Sequence, residues 1–150
     1  MSKRFYSGKT YTHATGHSCA FRQWRADSHC NLIHGYALQF ELKFGGELDD
    51  RNWIVDFGGL KPLKTWLADM FDHTYLVAQD DPELETFKEL EAKGLAELTI
   101  LDGVGVEKFA YHAWKFANDL VQEMTNGRCW CVEVECAEHG ANSAIYKAMD

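Results

Sequence analysis

The sequence predicts an α+β fold, an antiparallel sheet carrying its helices on one face. Three observations point to it. Residues 36–44 alternate, with Tyr36, Leu38, Phe40, Leu42 and Phe44 on one face and Ala37, Gln39, Glu41 and Lys43 on the other. That is the period of a half-buried strand. Residues 106–124 instead place Val106, Phe109, Ala110, Ala113, Ala117, Leu120, Val121 and Met124 along one helical face. Strand signals lie toward both ends of the chain and the helices between them, in the order β-β-α-α-β-β with a longer connection between the helices.

The first strand is read from the β-formers of Lys9 to Thr12 together with Phe5-Tyr6. Gly16 interrupts it, and His17 to Phe21 can continue after a bulge or bend. Arg22 to Asp27 is polar and reads as a loop. The alternating run follows, closed by Gly45-Gly46 and the turn chemistry of Asp49-Asp50-Arg51-Asn52. Trp53 to Phe57 is a short apolar run with one carboxylate. Leu60, Leu63, Trp66, Leu67, Met70 and Phe71 form the stripe of an amphipathic helix, with Pro62 in its first turn. It ends near Asp72-His73. Asp81 as N-cap and Pro82 after it start a charged helix that stops at Gly94. Leu98 to Leu101 is a short strand. The longest helix opens at Gly103-Val104-Gly105 and ends at Asn126-Gly127. Trp130, Val132, Val134, Cys136 and Glu138 then alternate with Cys131, Glu133, Glu135 and Ala137, and Ala144 to Lys147 closes the sheet.

A chain of 150 residues, 46% hydrophobic and 25% charged, is expected to form one domain over residues 1–150. A formal charge of −8 argues against a nucleic-acid partner. No apolar run is long enough for a membrane span, and Met1-Ser2-Lys3-Arg4 is not followed by the apolar stretch of a signal peptide. Five cysteines without such a signal read as free thiols in a reducing compartment, hence a cytoplasmic location. Cys129-Trp130-Cys131 lacks zinc-ribbon spacing and reads as strand.

Chemistry gathers in few places. Cys30 lies between His29 and Asn31 at the head of a strand, where a neighbouring imidazole or metal can make a thiolate base or nucleophile; an inert buried thiol is the competing reading. Glu138 falls on the apolar face of its strand, where a carboxylate needs strong hydrogen bonds such as adjacent ligand N–H groups; a strand-end salt bridge competes. Asp72-His73 pairs a carboxylate with an imidazole, either as a proton relay or as helix-terminus chemistry. His34 and His29 are candidate metal ligands, though histidine is more often a hydrogen-bonded loop residue.

Several motifs recur in a telling order: Cys19-Ala20-Phe21-Arg22; Cys30-Asn31-Leu32-Ile33-His34-Gly35-Tyr36; Val55-Asp56-Phe57-Gly58-Gly59-Leu60-Lys61; Phe71-Asp72-His73-Thr74-Tyr75-Leu76; then Glu107, and Glu138 eight residues before Tyr146. Together they resemble the 6-pyruvoyltetrahydropterin synthases and their bacterial 6-carboxytetrahydropterin synthase relatives over nearly the whole chain. The resemblance implies the tunnelling fold, a unit that trimerises into a multi-subunit barrel and stacks as a homohexamer with pockets between subunits. It implies Cys30 as base, Asp72 and His73 as catalytic support, and Glu138 as the clamp on the pterin amidine edge, with Glu107 also on the substrate. It implies a zinc ion on three histidines. Here the chain departs: Phe21 and Tyr36 stand at two of those positions and only His34 remains. His17 shares strand parity with Phe21 but lies about 13 Å away in an unbroken strand; His13 and His29 are further reserves. The ligand count therefore argues against a family-type zinc site.

Two functional expectations follow. One is a lyase resembling 6-carboxytetrahydropterin synthase, acting on 7,8-dihydroneopterin triphosphate in queuosine-type deazapurine biosynthesis, with Arg22 and Arg25 as candidate triphosphate contacts. The other is a zinc-free pterin- or purine-binding homologue with altered or lost catalysis.

Overall fold

The computed structural model describes residues 5–148. The reading of Met1 to Arg4 lies outside the described residues. Strand β1 (Tyr6–Tyr11) leads through a short turn to β2 (Ser18–Phe21), and β3 (His34–Ala37) is followed at once by β4 (Gln39–Gly46). Helix α1 (Lys61–Phe71), β5 (Thr74–Ala78), α2 (Leu84–Ala92), β6 (Leu98–Leu101) and α3 (Val106–Met124) come next. The hairpin β7 (Cys129–His139) and β8 (Asn142–Lys147) closes the order.

The long alternating run thus becomes two strands. Its first part, β3, pairs with β2; its second part, β4, pairs with β1 and β7. The chain changes sheets at Leu38, whose N–H bonds to His17 O at 3.1 Å. Opposite it, Gly16 (φ 127°) and His17 (φ 46°) turn the other chain through the same corner. The bend foreseen at Gly16 is therefore the place where two paired chains leave one sheet for another.

The main sheet is antiparallel in the order β1-β4-β7-β8. A smaller sheet, β3-β2-β5-β6, contains parallel pairs β2/β5 and β5/β6. Strand β5 is buried at every position. A continuous apolar strand directly after a helix has no alternation to reveal it.

One face of the main sheet is covered by helices. Leu42, Phe44, Val134 and Cys136 share a core with Phe109, Ala110, Ala113, Ala117 and Val121 of α3. Three alanines on that face let the helix approach closely. Helix α1 adds Leu63, Leu67 and Phe71, and Phe71 packs on Phe40 and Phe109 with ring centroids 4.9 and 5.3 Å away. Helix α2 caps the smaller sheet through Phe87 against Tyr75 and Val77.

Strand β7 departs from the expected alternation. Cys129, Cys131, Val134 and Cys136 are all fully buried, because the ladder with β4 skips Val132. This bulge reverses which parity faces the core, so Trp130 is only half-buried. Helix α3 secures the site: Cys131 N–H donates to Asn118 Oδ1 (3.0 Å) and Trp114 Nε1–H donates to Cys131 O (2.8 Å). A second irregularity lies in the β7/β8 ladder between Ala137 and His139, which leaves Glu138 out of register.

Candidate active site

A cavity of about 250 Å³ opens where the smaller sheet, the start of α3 and the β7–β8 hairpin meet. Phe21 enters it from the end of β2, Cys30 from the turn His29–Asn31, and His34 and Tyr36 from β3. Glu107 comes from the first turn of α3, where the helix dipole favours a carboxylate. Glu138, Asn142 and Ser143 complete it from the hairpin. Six residues singled out in the sequence, from four separate stretches of it, thus share one wall.

Local structure aims each group. Ser28 caps the turn that holds Cys30, its Oγ accepting from Cys30 N–H at 3.2 Å. Glu138, on the same strand parity as the buried Val134 and Cys136, lines the cavity; its side chain is 18% exposed and its Oε1 accepts from Asn142 Nδ2 at 3.1 Å. His34 Nδ1 lies 2.8 Å from Leu32 O, and its Nε2 lies 2.6 Å from Tyr36 Oη. Burial, then Glu138 and Cys30, push the Tyr36 phenol above its ordinary pKa, so it stays protonated at neutral pH.

Asp72 and His73 are placed elsewhere. They sit at the opposite end of β2, where His73 N–H donates to Ser18 O (2.6 Å) and Asp72 Oδ1 accepts from Ser18 N–H (3.2 Å). His73 takes φ 58° at the end of α1, and its Nδ1 lies 2.9 Å from Asp72 Oδ1. Partial burial works against the Asp72 charge, but the bonds from Ser18 and His73 and the nearby imidazoles hold its carboxyl below the usual range. The pair does not line the same chain's cavity.

Four cavity residues escaped sequence reasoning: Gln23, Gly105, Asn142 and Ser143. Gln23 donates from Nε2 to Val104 O (2.9 Å), tying the loop after β2 to the start of α3. Gly105 (φ 124°) passes so close that a Cβ would lie 2.7 Å from Gln23 Nε2. Asn142 sits in the hairpin beside Glu138. A glutamine in a polar loop gives no signal; the Gly103-Val104-Gly105 spacing was a signal, read only as a helix start.

The arginines near the motif are committed. Arg22 grips Asp81 with two bonds, Nε to Oδ2 (2.9 Å) and Nη2 to Oδ1 (2.7 Å), and Arg25 reaches Asp80 at 3.2 Å. Neither lines the cavity, and among the described residues no lysine or arginine does.

The donors do not make a family-type zinc set. Phe21 offers no donor atom, and His34 has both nitrogens in hydrogen bonds. His17 is buried between Tyr11 and Phe40, His13 bonds to Ala37 O, and His29 lies exposed outside the cavity wall. Among the described residues no group of three His, Cys, Asp or Glu is placed to hold a metal.

All five cysteines are free. Burial pushes the Cys19 and Cys131 thiols up to about 12 and raises those of Cys129 and Cys136. Cys30 alone is partly exposed. Iodoacetamide at neutral pH is therefore expected to give one adduct on the native protein, at Cys30, by peptide mass mapping. Labelling of the other four before unfolding would contradict this burial.

The model of the 6-pyruvoyl tetrahydropterin synthase family matches residues 10–149, and the chain belongs to that family. A 6-carboxy-5,6,7,8-tetrahydropterin synthase of Rickettsia conorii is 33% identical over 57 residues, which cover 37% of this chain and 41% of that protein. The chain spans less than half the length of the first curated relatives it matches. The solved structure of an uncharacterized protein from Wolinella succinogenes superposes with a TM-score of 0.81 at 16% identity, covering 97% of this chain and 98% of that one. The 6-pyruvoyl tetrahydropterin synthase of Plasmodium falciparum gives 0.66 at 14% identity over 94% and 96%. These likenesses establish the tunnelling-fold unit. No described helix is long and apolar enough to cross a membrane.

Proposed function

We propose that the chain, as one unit over residues 1–150, is a carbon–carbon lyase of the 6-carboxytetrahydropterin synthase type. Its substrate is 7,8-dihydroneopterin triphosphate, in a queuosine-type deazapurine pathway of the cytoplasm. The observation that carries this reading is the meeting of Glu138, Cys30 and Tyr36 in one cavity. Glu138 accepts the N–H donors of the pterin amidine edge, a charge-assisted contact in a partly dry site, and Glu107 adds a second acceptor. Cys30 takes a proton from the side-chain carbon next to the ring, and the electron pair passes into the ring C=N. The names carried by the relatives support the pterin class.

Asp72 and His73 join a cavity only across a subunit boundary, in a homohexamer of two stacked trimeric barrels. Strands β1 and β8 are the open edges of the main sheet, and such edges call for partners. Beside β1, the exposed Phe5, Tyr6, Trp53 and Phe57 border a hollow of about 300 Å³, a patch suited to contact. Triphosphate anchors then come from the neighbouring chain, since no described lysine or arginine of this chain lines the cavity.

Mixing tests this arrangement. Cys30→Ala and Asp72→Ala chains, each inactive alone, are refolded together at equal amounts and assayed for consumption of 7,8-dihydroneopterin triphosphate. About a quarter of wild-type activity is expected, because one pocket in four then draws intact Cys30 and Asp72 from different chains. No recovery would sink the shared pocket. The replacement of two histidine positions by Phe21 and Tyr36 favours a second reading, a zinc-free pterin- or purine-binding homologue. Tight pterin binding by wild type without turnover, with or without zinc, would select it.

A further inference from the structure

We infer that Tyr36, oriented by His34, replaces the metal as the group that receives the ligand's side-chain hydroxyl, and so sets specificity for hydroxylated pterins. This rests on the pterin reading above.

The hydrogen bonds around His34 fix the direction of each proton. Leu32 O is a carbonyl and can only accept, so His34 Nδ1, 2.8 Å away, carries the hydrogen. With that hydrogen on Nδ1, the uncharged tautomer has its lone pair at Nε2. Tyr36 Oη lies 2.6 Å from that nitrogen, so the phenol donates to it. With its proton committed, the phenolic oxygen is left as an acceptor in the cavity wall. The Nε2 lone pair that a metal would require is occupied by the same bond.

The ring is held as firmly as the proton. Phe21 packs on Tyr36 with centroids 5.3 Å apart and meets Phe109 edge-on at 5.1 Å. Phe21 is 4% exposed, so this wall has little freedom to rearrange. An aromatic side chain at this position therefore aims the hydroxyl of Tyr36 where a histidine would otherwise take part in a metal site.

The rest of the cavity agrees. Glu107 and Glu138 are acceptors, one of the two Gln23 amide N–H groups goes to Val104 O, and the Asn142 amide faces Glu138 Oε1 and His139 Nε2. The wall thus selects a ligand rich in donors: N–H groups at the carboxylates and an O–H at Tyr36. A site built to pair a hydroxyl discriminates against an analogue lacking it, because its acceptor is then left unpaired.

The test uses metal-stripped full-length protein and two fluorescent probes, neopterin, whose side chain is hydroxylated, and 6-methylpterin, whose side chain is not. Wild type is expected to prefer neopterin by about tenfold. Tyr36→Phe should lose that preference while still binding 6-methylpterin, and its urea unfolding reports its folding. His34→Ala keeps the hydroxyl but frees its proton, and should reduce the preference severalfold. Retention of the full preference in both variants, or its appearance only after zinc is added, overturns the inference. Equal binding of the two probes by wild type overturns it alone; binding of neither overturns the pterin reading with it.

Discussion

Glu138→Gln is expected to weaken pterin binding about tenfold to a hundredfold, measured by fluorescence titration. Hydrogen bonds to a charged group contribute roughly 1.5–3 kcal/mol each, and every ~1.4 kcal/mol is a factor of ten in affinity. Glutamine keeps the shape and an oxygen that can still accept from Asn142. It loses the charge and replaces one acceptor with a donor, which meets the ligand's N–H edge wrongly. Stability should hardly change, because Glu138 lies outside the β7/β8 register near a hairpin end and glutamine keeps its size and its bond from Asn142. Wild-type affinity in Glu138→Gln would remove Glu138 as the clamp. A variant that unfolds at lower urea instead would assign it a structural role.

Arg22→Ala is expected to cost about 3–5 kcal/mol of stability by urea unfolding, the usual penalty for stranding one partner of a buried pair. The Asp81 side chain is 2% exposed and that of Arg22 17%. Asp81 also accepts from Glu83 N–H at 2.8 Å just before α2, and Arg22 lies over the Phe87 ring of that helix. The pair therefore pins α2 to the end of β2. Arg22→Lys should rescue little, because an ammonium cannot make the two-bond grip. Burial works against the Asp81 charge, but Arg22 and the Glu83 N–H override it and hold the carboxyl below its ordinary pKa. With the folded pKa below the unfolded one, the contribution is present above the unfolded value and is lost as pH falls through the folded one. The acid unfolding of Arg22→Ala should accordingly differ least from wild type at low pH. Were Arg22 a triphosphate contact instead, the variant would raise the substrate KM and leave unfolding unchanged.

Legibility in the sequence followed the range of each signal. Helices α1 and α3 are long and periodic, and their buried faces were readable residue by residue. The bend at Gly16 was visible because glycine marks the positive φ the corner needs. Strand β5 was not, because five buried positions in a row have no period. The parity of β7 failed at Val132, since a bulge is a relation between two strands and leaves no mark in one of them. Cys30, His34 and Glu138 were singled out by their residue chemistry and Glu107 by motif order, and all four line the cavity. The separation of Asp72-His73 from them depends on the direction of the short strand β2, which pairing sets. The commitment of Arg22 to Asp81 spans 59 positions, and no local pattern reports it. Nor could residue identities alone show that Tyr36 turns its hydroxyl onto His34.

The two irregularities in β7 divide one continuous strand into independently phased parts. The Val132 bulge sets the phase of the cysteine-lined core segment, and the slip at Glu138 sets that of the cavity end. The ladder slip next to Glu138 lies at the hairpin end, so changes in the hairpin loop can re-aim that carboxylate while the β4/β7 ladder behind it keeps its register. Such modularity lets a family keep its scaffold while exchanging the groups around a pocket, which is the kind of exchange that Phe21 and Tyr36 represent.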